Sequence, residues 1–324
     1  ETADYTGVAV NTTPISVTIG PKSTTPKIEL SETSYKYDGT KKGPKVTLKD
    51  GDTVIDENQY TVTWAGTKSQ TDDDLLRVAD TYKATITNVP NGNYTFSVTA
   101  SVEITPAEQA ALHITGQPEH VYYGDSFQLT TSGGDGSGAV RWKVTSGDAA
   151  TVDRDTGEVK ITGVGKVTIT AEKAADTNYE QTSAHWTFTA APKPVTAAVT
   201  VSNKPYDGTT AATVASANIT ADLLTGDTVT IDPASITAVF DTPSVGTDKT
   251  VTLDVSKVQV TGDTAKYAIS YPATVTAEIT KATTTITTAP AAIASLTYNG
   301  QPQALITAGQ TNVGFLVYSL SENG

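Results

Sequence analysis

The sequence predicts an all-β chain of tandem small Ig-like β-sandwich modules strung in an elongated array. Three observations carry that reading. Thr is the commonest residue and Val and Ile are frequent, so the chain is rich in β-branched side chains that suit a half-buried pleated surface. Apolar and polar residues alternate in short runs, and no stretch sustains a helical period; "PAEQAALHI", Pro106–Ile114, offers a turn or two at most. Three landmarks recur in one order at a spacing near 85 residues. β-Grasp-like modules of similar size are the alternative, because a period does not fix a topology.

The first landmark is Tyr-x-Gly, at Tyr37-Asp38-Gly39, Tyr122-Tyr123-Gly124, Tyr206-Asp207-Gly208 and Tyr298-Asn299-Gly300. The second is a polar residue followed by Tyr, at Asp4-Tyr5, Asn93-Tyr94, Asn178-Tyr179 and Lys266-Tyr267. The third is a short β-type run that leaves into Pro, Lys or Ala: "SVTIGPK", "VEITPAE", "TFTAAPK" and "AEITKAT". Together they divide the chain. Residues 1–20 read as the tail of an upstream β module, 21–106 as module 1, 107–191 as module 2 and 192–281 as module 3. Residues 282–324 read as the truncated start of a fourth module.

Module 1 contains "YTVTW", which puts Tyr60, Val62 and Trp64 on one face, and an insertion at 66–80. In module 2, Val140, Trp142 and Val144 share one face against Arg141 and Lys143. Val167, Ile169 and Ala171 alternate with Thr168 and Thr170, and Trp186 and Phe188 alternate with His185 and Thr187. Period two with one apolar face is the mark of antiparallel strands covered on one side. "VDRDTGEVKI", Val152–Ile161, reads as a hairpin closed by a Gly turn. Module 3 aligns Val251, Leu253 and Val255. All three Trp have core parity.

These segments carry a resemblance. "YDGTTAATV" with "SVGTDKTVTL" and "AEITKA" is similar to the YDG-type repeat of bacterial surface adhesins. "LTYNGQPQALI" resembles the opening of the related MBG-type repeats, and module 2 resembles a bacterial Ig-like repeat. Module 1 resembles another repeat of the group, but departs from it by the insertion and by Asp80 where a Gly is expected before Thr-Tyr. The resemblance implies cell-surface modules, chiefly stalks and adhesive arrays, and no chemistry.

Composition narrows the partners. A hydrophobic content of 37% and an aromatic content of 7% in 324 residues suit several small cores better than one large one. A net charge of −13 repels nucleic acid and anionic membrane, so neither is an expected partner, nor is membrane contact expected in this fragment. With no Cys there is no disulfide framework. No signal peptide, span or sorting signal is visible, which reads as an excised piece of a longer chain.

No catalytic constellation emerges, and the chain reads as a non-enzyme. The three His, at 113, 120 and 185, lack metal-ligand spacing. Asp153, Asp155 and Glu158 are the calcium candidates, although a hairpin turn accounts for the same letters. Ligand-binding candidates are Asp72, Asp73 and Asp74 at the insertion and Tyr122 or Tyr123, of which adjacent strand residues leave one exposed. The middle residue of Tyr-x-Gly varies among Asp, Tyr and Asn, which a catalytic carboxylate could not survive and a turn can. Tyr37, Gly39, Tyr122, Gly124, Tyr206, Gly208, Tyr298 and Gly300 are therefore read as a structural turn motif.

The expected role is a stalk or adhesive segment of a multidomain bacterial cell-surface protein, monomeric, extracellular, and attached to the wall or secreted. It would space or present a distal binding domain, with neighbouring modules as its partners. One alternative is a module that binds host glycan or protein through the insertion. Another is a set of accessory modules of a secreted glycoside hydrolase.

Overall fold

A computed structural model describes residues 14, 16–68, 71–219 and 223–319. Tyr5 and most of the predicted upstream tail lie outside the described residues, as do Ser69 and Gln70 within the insertion. The chain is all-β. Among the described residues the helical elements are three 3₁₀ turns, Glu57–Gln59, Pro233–Ser235 and Thr264–Lys266. No described helix is long and apolar enough to cross a membrane.

Grouped by the predicted module ranges, the elements of module 1 include a four-stranded sheet, in the order Ser34–Lys36, Ser97–Thr105, Asp80–Asn88, Tyr60–Gly66, and the three-stranded sheet Lys27–Leu30, Val46–Asp50, Thr53–Ile55. Alternation along Asp80–Asn88 buries Asp80, Tyr82, Ala84 and Ile86 and exposes the residues between them. Two apolar clusters result. One holds Val46, Leu48, Ile55, Tyr60, Ala84, Ile86 and Phe96. The other gathers Leu76, Ala79, Tyr82 and Ile104, with Tyr35 and Tyr37 packed on it.

Module 2 pairs the sheet Val140–Ser146, Gly165–Lys173, Thr182–Ala190 with the sheet Ser126–Gln128, Glu158–Ile161, Ala150–Val152. The hairpin forms with Ala150↔Ile161 to Val152↔Val159 in register, and Gly157 supplies the positive φ. Trp142, Leu129, Val159, Val167 and Ile169 lie in one core cluster, with Trp186 and Phe127 packed against it. Thr170 departs from its polar parity. It is 1% exposed, because the Thr145 hydroxyl and the His185 Nδ1 close over it at 3.0 and 2.8 Å.

Module 3 has a five-stranded sheet, in the order Lys204–Pro205, Thr274–Thr280, Gly246–Asp254, Thr237–Phe240, Ala211–Ala212. A three-stranded sheet joins Val214–Ile219, Lys193–Val201 and Tyr267–Ser270. Its core includes Ala197, Ile231, Phe240, Val251 and Ile279. Residues 282–319 form two short pairs, Ile286–Thr288 with Gln310–Thr311 and Ala291–Ala292 with Ile306–Thr307. Their large apolar side chains are open: Tyr298 is 94% exposed and Phe315 84%.

One pairing recurs in all three modules. The polar-Tyr landmark lies parallel to the start of its own module, as Lys22↔Tyr94, Ala107↔Tyr179 and Lys193↔Tyr267. The landmark thus sits at the pole where each module begins.

Candidate functional site

The Tyr-x-Gly turns are built from local bonds. Gly39, Gly124, Gly208 and Gly300 have φ of 76°, 86°, 78° and 73°, the left-handed region that glycine enters without a Cβ clash. The Asp38 carboxylate accepts from the Thr40 N–H and hydroxyl at 2.8 and 2.6 Å, and Asp207 accepts the same pair from Thr209 at 2.8 and 2.9 Å. Asn299 accepts from the Gln301 N–H at 3.0 Å. These are Asx turns. A lysine closes two of them, Lys42 on Asp38 and Lys204 on Asp207. The lysine contacts and the turn bonds hold both carboxyls below the usual range, Asp207 at about 2.

Three of these turns are tied to the end of the final strand of their own module. The N–H of Tyr37 donates to Thr105 O at 2.9 Å, that of Tyr123 to Ala191 O at 2.8 Å and that of Tyr206 to Thr280 O at 2.9 Å. Tyr123, not Tyr122, is therefore the equivalent of Tyr37 and Tyr206. Matching Tyr-x-Gly letter by letter misplaces module 2 by one residue, because its turn is one residue shorter before the Gly.

Two of these tyrosines meet the next module. The Tyr37 ring meets Tyr179 edge to face, with centroids 5.3 Å apart and planes at 81°. The Tyr123 ring meets Tyr267 in the same way, at 5.6 Å and 87°. The residue before the second tyrosine joins in both times. The Asn178 side-chain oxygen accepts from the Ala79 N–H at 2.9 Å, and the Lys266 ammonium lies 5.3 Å from the centre of the Tyr123 ring. Two of the three landmarks that mark the repeat thus come together, module to module.

The second of these junctions is anchored on one carboxylate. Asp227 accepts from the Tyr123 hydroxyl and the Tyr267 hydroxyl at 2.7 Å each, and from Lys266 Nζ at 2.8 Å. The Lys266 bond and the two phenol bonds outweigh burial and hold the Asp227 carboxyl at about 2. Burial, then the Asp227 bond, pushes the Tyr267 phenol up to about 12. Tyr123, Val195 and Tyr267 form a small buried cluster against Leu224, across the predicted boundary at Pro192.

The insertion is only partly a surface feature. Asp72 and Asp73 are exposed, and Asp74 opens a turn in which its backbone O accepts from Arg77 and Val78 N–H. The residues after it turn inward: Leu76 is 6% exposed, Ala79 2% and Asp80 7%. Asp80 explains the departure noted at its position. It accepts from the Thr67 hydroxyl and the Lys68 N–H, so it fastens the end of the insertion to its start. Burial works to raise this carboxyl, but the bonds from Thr67, Lys68 and Thr81 prevail and the net shift is downward.

The other candidates separate. Tyr123 is 6% exposed and buried at the junction, so it offers no open platform. Tyr122 is half-buried and borders a cleft of about 260 Å³ shared with His120, Trp186 and Phe188. The calcium candidates do not converge. Asp153 accepts from the Asp155 and Thr156 N–H groups, Asp155 pairs with Arg141, and Glu158 lies 3.6 Å from Lys160. Among the described residues no group of three or more His, Cys, Asp and Glu is placed to hold a metal ion.

Residues 191–277 match the family model of the YDG domain. No curated protein matches the chain. Among solved structures, a 282-residue C-terminal fragment of intimin, crystallised with the intimin-binding domain of its translocated receptor, is 20% identical. That alignment covers 54% of this chain and 65% of the fragment, with a TM-score of 0.22. Mouse cadherin-23 repeats 22–24 are 11% identical over 77% of this chain and 99% of that one, with a TM-score of 0.23. Domains 1–6 of the surface layer protein SbsC are 15% identical, covering 81% of this chain and 42% of that one, with a TM-score of 0.25.

Proposed function

We propose that this chain, whose residues 191–277 match the YDG domain, is a non-enzymatic stalk or adhesive segment of a multidomain bacterial surface protein. Its modules 21–106, 107–191 and 192–281 fold around their own cores, and residues 282–324 open an MBG-type module. The array holds a distal binding domain away from the cell, on the wall or on a secreted chain. The observation that carries this reading is the pair of tyrosine junctions, Tyr37 on Tyr179 and Tyr123 on Tyr267. A spacer needs each module to grip its neighbour, since a tandem array touches only at consecutive units. Small-angle scattering tests it. A compact domain of this length has a radius of gyration of about 20 Å. The spacer reading expects a value well above that, and the compact value overturns it.

A second reading keeps the insertion as a recognition loop for host glycan or protein. It is favoured by the exposed Asp72 and Asp73 at the turn. Replacing both with Ala leaves the buried Leu76 and Asp80 intact. Glycan-array or cell-adhesion signals unchanged by that double variant remove this reading.

A further inference from the structure

Two junctions between unlike modules use the same parts. In each, a turn tyrosine anchored by its N–H beside the final strand presents its ring to the tyrosine that pairs in parallel with the start of the next module, Tyr179 by a single bridge and Tyr267 as the first residue of a strand. In each, the polar residue just before that second tyrosine makes its own contact, Asn178 with the Ala79 N–H and Lys266 with the Tyr123 ring. The ring partners lie 142 and 144 residues apart in sequence. We infer that the Tyr-x-Gly turn is the outgoing half of a reusable joint and the polar-Tyr pair its incoming half. Tyr206, with Asp207 and Gly208, is a third outgoing half, and it takes the incoming pole of another module of this kind.

Tyr206 has the features that define the other two. Its N–H is held by Thr280 O as those of Tyr37 and Tyr123 are held by Thr105 O and Ala191 O. Its turn repeats the Asp–Thr bonds of the Tyr37 turn, with Asp207 accepting from the Thr209 N–H and hydroxyl, and it too is closed by a lysine, Lys204 from before the turn where Lys42 comes from after it. It differs in exposure, 42% against 6% for Tyr123. A tyrosine whose backbone is bonded at a module's end and whose ring is open to water offers an apolar face with a polar tip, suited to an interface. The incoming pole that fits a Tyr37-like turn is an amide-Tyr pair such as Asn178-Tyr179. Module 2, which carries it, follows Tyr37's strand after one intervening residue, Thr105-Pro106-Ala107. The strand beside Tyr206 ends as Thr280-Lys281-Ala282, so a module joined after Lys281 starts in the same register.

This inference rests on the tandem reading above but can fail without it. The test inserts a second copy of residues 107–191 between Lys281 and Ala282 of the full chain. Amide hydrogen exchange is then followed at Tyr206 and Thr209, with Tyr37 and Thr40 as the internal reference. The joint slows exchange at Tyr206 and Thr209 by about tenfold relative to the 324-residue chain, the factor an aromatic pair implies. Tyr206→Ala in the extended chain returns Thr209 to its original rate. Unchanged rates in the extended chain, with both copies of module 2 protected at Val167 and Ile169, overturn the inference. Tyr37→Ala supplies the separation: if it also leaves Thr40 unmoved, the junctions carry no coupling and the stalk reading falls as well.

Discussion

Single carboxylates hold two key places in this chain. Asp80 closes the insertion of module 1, and Asp227 gathers three donors from two modules. Both are largely buried, so their bonds are sheltered and their loss leaves partners unpaired. Asp80→Ala strips the Thr67 hydroxyl and the Lys68 and Thr81 N–H groups of their acceptor. We expect it to destabilise module 1 by about 1–3 kcal/mol, as removal of a buried hydrogen-bond partner does. Urea unfolding followed by circular dichroism reads that loss. Because the Asp80 pKa is shifted downward, its contribution is present above the ordinary carboxylate range and fades as pH falls below it. The difference between wild type and variant shrinks accordingly in acid.

At the scale of elements, strand faces were legible because period two is a local property. The parity of Trp142, Val167, Ile169 and Phe188 could be read straight from the letters, and each lies in the core cluster of module 2. Thr170 could not be read, since its cover comes from Thr145 and His185 on neighbouring strands. The junctions were hidden for a related reason. Their partners sit in different modules, and the module 2 turn is one residue out of register. The letters marked both halves of the joint without showing that they touch. Glycines separate fold from joint. A Cβ on Gly147 would meet Lys166 O at 2.1 Å, a backbone atom of the same module with no room to give. A Cβ on Gly124 would meet Leu224 Cδ1 at 2.7 Å, a side-chain end on the next module. Both positions have positive φ, 84° and 86°, which costs an L-residue about 1–2 kcal/mol by itself. Gly147→Ala should therefore lower the melting temperature of module 2 the more strongly. Gly124→Ala should leave the module 2 core protected in hydrogen exchange while Leu224 and Tyr267 lose protection.

For the whole molecule, the joint between modules 2 and 3 is expected to set how straight the chain runs, and its chemistry should make that property depend on pH. Asp227 faces Lys266, Tyr123 and Tyr267, and Lys266 also reaches Asp263 at 3.0 Å. The carboxyl titrates at about 2 when the joint is closed and near 3.9 when it is open. A depressed acid stabilises the closed form above the open-state value and loses that hold as pH falls through the closed-state value. The joint is thus closed at neutral pH and loosens between about pH 4 and pH 2. At the alkaline end the sign reverses: the Tyr267 phenol, raised to about 12, favours the closed form below pH 10 and is lost as pH climbs through 12. Asp80 and Asp176 also gather three or more donors, but each from within one module, whereas Asp227 is held from two, so losing its charge should open the joint before it unfolds a module. Small-angle scattering at pH 7, 4 and 2 should show a broadening distribution of end-to-end distances before circular dichroism reports loss of strand. Asp227→Asn removes the titration and weakens the Lys266 contact, so that chain should be bent at pH 7 and change little toward pH 2. A wild-type chain whose dimensions hold constant until its strands melt would show that Asp227 does not set the angle between the modules.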